Sequence, residues 1–343
     1  MTVLALNVCL ALLPVVLFLA ALVVMDTFKL AHWTTVAEAL LWGVAVALIC
    51  DAAYDGLARV SWLSESTLSR YAAPLLEEIA KAVFVVYLLI RRRIGFLVDA
   101  AVIGFAVGCG FALAENVAFL RALGGATPIL WLVRGFGTAV LHGALTSVFA
   151  MVAKATIDRR GMRAGLALLP AAGLVAAIHS AFNHLLLPPL AMAGLLLVVL
   201  PVLVIVVFQR SERATRDWVV AGLDLDIELL NLIASDLFEM TRFGKYLDSL
   251  KARFPPHVVV DMYCLLRVEL ELAIQAKGLV LAAEAGLNAP VHPDADAALA
   301  EADCLRRSIG RTGLLALGPL HVSSDRDAWH RHVLARGHRR GVR

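Results

Sequence analysis

The stretch Pro74-Leu75-Leu76-Glu77-Glu78-Ile79-Ala80-Lys81 runs without a break into the apolar segment Ala82–Ile90. Two adjacent carboxylates and an ammonium thus head a segment that otherwise reads as membrane-buried helix. Ionisable side chains within hydrocarbon are expensive, and they mark functional positions by default. The alternative is an interfacial charge cluster, favoured by the positive end of the helix dipole. The rest of the chain decides between the two.

Around that stretch the composition is that of a membrane protein. Of 343 residues, 60% are hydrophobic and 17% charged, and the mean hydropathy is +0.80. Runs of about 20 apolar residues recur, the length that crosses about 30 Å of hydrocarbon. Only helices or closed barrels satisfy their backbone in lipid, and uninterrupted runs of this length argue for helices. The expected class is all-α, a polytopic helical membrane protein. The five cysteines form no CxxC pair and lie largely in apolar segments, as small buried hydrophobes do. A net charge of +3 gives no footprint for nucleic acid.

Seven spans are expected, at about Val3–Val24, Trp33–Cys50, Tyr71–Ile90, Val98–Leu120, Ile129–Ala153, Ala164–Leu187 and Leu190–Phe208. The first lacks a basic leader and a small-residue exit before Asp26, so it reads as an anchor helix. Asp51–Arg70, with an amphipathic piece around Trp62, is expected at the interface. Gly124-Gly125, Pro128 and Pro188-Pro189 punctuate the turns. The chain divides into an N-terminal part, 1–70, a catalytic core with the last span, 71–210, and a cytosolic part, 211–343.

Loop cations set the orientation. One set of loops holds eleven: Lys29, Arg91, Arg92, Arg93, Lys154, Arg159, Arg160, Arg163, Arg210, Arg213 and Arg216. The opposite set holds Arg59, Arg70 and Arg121, with Arg134 just inside the fifth span. The N-terminus is therefore expected outside and the C-terminus in the cytoplasm.

From about Asp217 charges interleave with apolar residues at helical spacing. Leu223–Phe254, His257–Ala285 and Leu299–Ile309 read as cytosolic helices, with Pro255-Pro256 and Pro290–Ala297 between them. No catalytic constellation is visible there. Asp325–Arg343 is a basic tail expected to be mobile, and His321, His330, His332 and His338 could bind metal adventitiously, though their irregular spacing makes that a weak signal.

The intramembrane polar residues carry the chemistry. Glu77 and Lys81 are i,i+4 neighbours, and Glu78 and Lys81 are i,i+3. Two carboxylates this close in low dielectric cannot both ionise cheaply, so one holds a proton or a cation sits between them and further ligands. The fourth span adds Glu115-Asn116, with Phe111 and Glu115 on one face; Glu115 is either a proton-relay group or a partner of Arg121. The fifth adds His142, with Thr146 one turn on. The sixth adds His179 and Asn183, also at i,i+4, the spacing by which one helix presents two groups to one metal or water; His184 points away.

Their depths coincide. Glu77 and Glu78 fall in the first turns of an inward-running helix, while Glu115 and His179 lie near the ends of outward-running ones. At 1.5 Å per residue all are within roughly 8–12 Å of the outer boundary, with His142 somewhat deeper. Independent structural residues have no reason to share a level, so one site is expected. Such a cluster either holds a divalent metal through His nitrogen and Glu oxygen or works without metal, Glu acting as base and His or Asn steadying an oxyanion. Either activates water against a carbonyl. No HExxH, GxGD or G-x-S-x-G pattern is present.

Glu77-Glu78-Ile79-Ala80-Lys81, Phe111-x-x-x-Glu115-Asn116, His142-Gly143 and His179 together resemble the PrsW family of intramembrane proteases. That family is a branch of the group holding the CAAX prenyl protease and the Abi-type immunity proteins. The wider group shows EExxxR, FxxxH and HxxxN. Here Lys81 stands one place before the usual Arg, and Glu115 replaces the His, as is characteristic of the PrsW branch. His179 and Asn183 meet the third motif. The resemblance spans about Tyr71–Leu187. It implies proteolysis of a membrane-anchored protein, an anti-sigma factor in the best-known case, cut on its extracytoplasmic side in the bacterial inner membrane. It implies Glu78 or Glu77 as base, and Glu115, His142 and His179 as metal ligands or water-positioning groups. Lys81, Asn116 and Asn183 complete the implied set, Asn183 behind the ligands or as oxyanion donor. Whether zinc or a metal-free glutamic mechanism operates is left open by the motif.

Two other classes share some of these features. A proton-coupled transporter also keeps Glu and His at one depth, but it usually shows repeated halves and paired broken helices, and neither is present. A non-enzymatic sensor would tolerate loss of Glu78.

Overall fold

The computed structural model describes residues 3–26, 33–60, 62, 64–91, 93–160, 165–235, 237–287, 289–320, 330 and 333–334. The expected loop cations Lys29, Arg92 and Arg163, and the tail histidines His321, His332 and His338, lie outside them. No strand occurs among the described residues, and the chain divides into two units, Met1–Glu212 and Arg213–Arg343.

The first unit is built on α1 (Val3–Met25), α2 (Trp33–Val60), α3 (Ala73–Ile90), α4 (Leu97–Leu123), α5 (Val140–Arg160) and α6 (Leu169–Asn183). A further helix, α7 (Pro189–Ile233), starts in this unit and ends in the other. α4 is the axis: 83% of its apolar window is enclosed, against 28% for α1. It starts where the Asp99 carboxylate accepts the backbone N–H groups of Gly95 and Phe96, at 3.0 and 3.3 Å. Small residues then let its neighbours come to backbone contact, the packing mode of membrane helices. A Cβ on Gly108 would lie 2.2 Å from the His142 carbonyl oxygen, and one on Gly110 2.0 Å from that of Leu40. Phe18 of α1 stacks on Phe105 of α4, centroids 5.7 Å apart. Outward-facing Leu41 and Val83 are 70% and 53% exposed, which suits lipid better than water.

Five helical stretches are long and apolar enough to span a membrane: Val3–Met25, Trp33–Val60, Leu97–Leu123, Pro128–Arg159 and Gly165–Asn183. These correspond to the first, second, fourth, fifth and sixth expected spans. Of the other two, α3 is an 18-residue helix carrying Glu77, Glu78 and Lys81. The other, Leu190–Phe208, is apolar throughout and forms the first part of the helix α7.

Several expected boundaries move. α2 continues ten residues past Cys50, so Asp51–Val60 is helix; Ala52, Ala53, Leu57, Ala58 and Arg59 are strong helix formers, and polarity alone does not stop a helix. Between α2 and α3 lie a single turn, Glu65–Thr67, capped by Ser64, and a π-helical turn, Leu68–Ala72. A second π turn, Arg134–Ala139, joins the short helix Pro128–Val133 to α5. The sixth expected span ends early, at Asn183, and Leu185 beyond it has φ of 49°. α7 is continuous to Ile233 where a break near Phe208 was expected.

In the second unit the expected helix Leu223–Phe254 is broken. α7 stops at Ile233, and α8 (Arg242–Leu250) restarts where the Thr241 hydroxyl accepts Gly244 N–H at 3.0 Å. α9 (Pro256–Glu284) and α10 (Ala295–Ala316) follow, with Gly310 kinked at φ 69°. Buried Glu269 on α9 is held by Arg306 at 2.7 Å and by His330 at 2.9 Å. His330, 1% exposed, is thus a packed residue rather than part of a loose tail.

Candidate active site

Four helices bring Glu77, Glu78, Lys81, Glu115, His142 and His179 together. On α3, Glu78 and Lys81 are 2% and 0% exposed. The Lys81 ammonium donates to Glu78 Oε1 at 2.6 Å and to His142 Nδ1 at 3.0 Å, and lies 4.6 Å from the Phe111 ring centre. The same Glu78 oxygen meets Nδ1 of His179 at 2.9 Å. This pair therefore grips the Nδ1 of both imidazoles, and a buried charge pair is tolerable only with such additional hydrogen bonds.

The grip fixes which nitrogens face outward. Lys81 has only protons to give, so His142 Nδ1 accepts, and Nε2–H points at Glu115 Oε2, 3.2 Å away. Glu78 is a carboxylate, so His179 Nδ1–H donates, which leaves Nε2 of His179 for a ligand. The two rings stand edge to face with centroids 4.9 Å apart.

Glu77, His142 and His179 each offer one ligand atom, and these atoms all lie within 4.8 Å of one another. Glu77 Oε2 is buried and has no hydrogen-bond partner among the described residues. Glu77 Oε2 and His179 Nε2 are thus open as donors of the zinc type, and His142 joins them only when its Nε2 proton leaves to Glu115 and Lys81 passes one to Nδ1.

A cavity of about 580 Å³ opens beside the cluster, lined among others by Glu77, Glu115, His179, Asn183, Arg134, Phe111 and Phe182. Asp51, Tyr54, Glu65 and Ser69 also line it, so it extends to the α2 end and the π turn before α3. That turn is fastened to α6: Ser180 Oγ donates to the Arg70 carbonyl at 2.6 Å and Asn183 Nδ2 to that of Ser69 at 3.1 Å. A π turn shifts the carbonyl pattern of a helix, and such turns cluster at functional sites. Here they set α3 against α6, and hence Glu78 against His179.

Two expected residues sit differently. Asn116, 1% exposed, makes its hydrogen bonds away from the imidazoles: Nδ2 donates to the Ala11 carbonyl at 2.7 Å, and Oδ1 accepts from Arg134 Nε at 3.0 Å. The charged partner of Glu115 is Arg134, at 3.2 Å, and not Arg121, which is exposed. Six residues along a helix is about 240° around it, so Arg121 faces elsewhere. Arg134 counted in the sequence only as a loop cation. Its signal was an arginine inside an apolar run, eight residues before His142.

A family model described as PrsW family intramembrane metalloprotease matches residues 31–209, just over half of the chain. No curated protein and no solved structure matches.

Proposed function

The chain belongs to the PrsW family of intramembrane metalloproteases, and from that premise we propose that it hydrolyses a peptide bond of a membrane-anchored protein near the outer face of the membrane. The observation that carries this reading is the convergence of Glu77, His142 and His179, within 4.8 Å of one another, beside a cavity of about 580 Å³ that Glu77 and His179 line.

In this reading Glu77, His142 and His179 hold the metal. A zinc-type ion there supplies Lewis acidity toward a carbonyl oxygen and toward water. Glu78 keeps His179 in the tautomer with Nε2 free, and Lys81 keeps His142 with Nε2 outward. For His142 to ligate, its Nε2 proton would pass to Glu115 Oε2 while Lys81 passed one to Nδ1, so that the ring stayed neutral. Once Glu115 had released that proton, its carboxylate, which lines the cavity, would serve as base toward water. Glu77 and Glu115 thus exchange the roles that the motif resemblance implies for them. Phe111, Phe119 and Phe182 make the cavity wall apolar, which strengthens each electrostatic contact inside it.

The seven-span topology, with the N-terminus outside and the site in the outer half of a bacterial inner membrane, is part of the proposal. The support is that the cavity lining includes Glu65, Ser69 and Leu185, from the connections poor in Lys and Arg. A single-pass protein of the anti-sigma-factor type is the substrate suggested by the resemblance. The test is co-expression of wild type or Glu77→Gln with single-pass membrane proteins, with fragments compared by mass spectrometry. Fragments that vanish in the variant support the reading, and identical patterns sink it.

A further inference from the structure

Arg134 belongs to none of the motifs, yet it is built into the site more firmly than any loop residue needs to be. Its guanidinium lies 3.2 Å from Glu115 Oε2, Nε donates to Asn116 Oδ1 at 3.0 Å, and its Cζ is 3.6 Å from the Phe119 ring centre. The side chain is 13% exposed and borders the cavity. Glu115, Asn116 and Phe119 are neighbours on one stretch of α4, so three contacts of different kinds hold one planar ion. Asn116 is anchored in turn on the Ala11 carbonyl of α1 at 2.7 Å. The π turn that begins at Arg134 is backed by the same helix: a Cβ on Gly135 would lie 1.8 Å from the Leu10 carbonyl oxygen.

A bare counter-ion for Glu115 needs only a positive charge, which a lysine supplies. An ion that pairs with a carboxylate, hydrogen-bonds an amide oxygen through Nε and covers an aromatic face at once needs guanidinium geometry. What this geometry fixes is the rotamer of Glu115, whose Oε2 is shared between Arg134 and His142 Nε2 at 3.2 Å each. Released from Arg134, that oxygen is free to swing into the cavity.

We propose that Arg134 is a positioning residue of the hydrolytic site, acting through Glu115 by holding Oε2 beside Nε2 of His142 and at the cavity surface. The proposal rests on the hydrolytic reading given above. Partners of this kind change activity on the order of 10- to 100-fold when removed.

The test uses membranes holding the full chain as wild type, Arg134→Ala, Arg134→Lys or Glu77→Gln, with the same single-pass proteins and fragment yield as readout. Zinc content and the melting midpoint of each purified chain are measured in parallel. Arg134→Ala is expected to lose fragment yield 10- to 100-fold and to lower the melting midpoint, since Asn116 Oδ1 and Glu115 lose a partner, while its zinc content stays near wild type. Added guanidinium chloride at millimolar concentration restores yield to Arg134→Ala, and Arg134→Lys recovers only part of it. Wild-type yield from Arg134→Ala overturns the proposal. So does a loss of yield that added guanidinium leaves unchanged, the mark of a purely structural residue. If Glu77→Gln also matches wild type, the hydrolytic reading falls with it; if Glu77→Gln is inactive, only the role of Arg134 falls.

Discussion

Lys81 reaches back one helical turn to Glu78 at 2.6 Å, and both side chains are almost wholly enclosed. The pair is more than mutual neutralisation, because the ammonium also holds His142 and the carboxylate also holds His179. Removing one partner strands the other as an uncompensated charge, at a cost of about 3–5 kcal/mol for buried pairs. Lys81→Met should therefore lower unfolding stability in detergent by that order, and Lys81→Met combined with Glu78→Gln should recover much of the loss. A Lys81→Met variant as stable as wild type would contradict a buried, charged pair.

Gly108 sets the distance between α4 and the His142 backbone. With a Cβ 2.2 Å from the His142 carbonyl oxygen, Gly108→Ala must push α5 away, at about 1–3 kcal/mol by analogy with overpacked cores. Gly173, with nothing within 4 Å of an added Cβ, is the control. Thermal unfolding should be lowered by Gly108→Ala and not by Gly173→Ala.

Asn116 separates structure from chemistry. Asn116→Ala leaves the Ala11 carbonyl and part of Arg134 unsatisfied, worth about 1–3 kcal/mol. The expected result is a lowered melting midpoint with zinc retained. Loss of zinc with an unchanged midpoint would contradict this placing of Asn116 outside the site.

These predictions show what the sequence could and could not carry. Hydropathy made the all-helical membrane class plain, and equal depth brought Glu77, Glu78, Glu115 and His179 into one layer. The partner of Glu115 was hidden because it depends on helix rotation. The π turns at Leu68–Ala72 and Arg134–Ala139 change that rotation, and neither leaves a mark in the pattern of apolar residues. Asn116 lies about 100° around α4 from Glu115, enough to aim it at α1 instead of the imidazoles. The continuity of α2 through Val60 and of α7 through Ile233 was missed for a different reason: a change of polarity was taken as a change of backbone.

Orientation has its own test. Ser64 caps the turn before α3, next to Glu65 of the cavity lining. With Cys9, Cys50, Cys109, Cys264 and Cys304 replaced, Ser64→Cys should react with a membrane-impermeant maleimide added to intact spheroplasts. Labelling only after lysis would invert the topology.

The division of labour between the two cavity carboxylates is the centre of the account, and metal content tests it most directly. Glu77 groups with His142 and His179 within 4.8 Å, whereas Glu115 is shared between His142 and Arg134. Elemental analysis of the full chain purified without chelator should find about one zinc per chain in wild type and in Glu115→Gln, and none in Glu77→Gln. Zinc retained by Glu77→Gln and lost from Glu115→Gln would contradict the assignment.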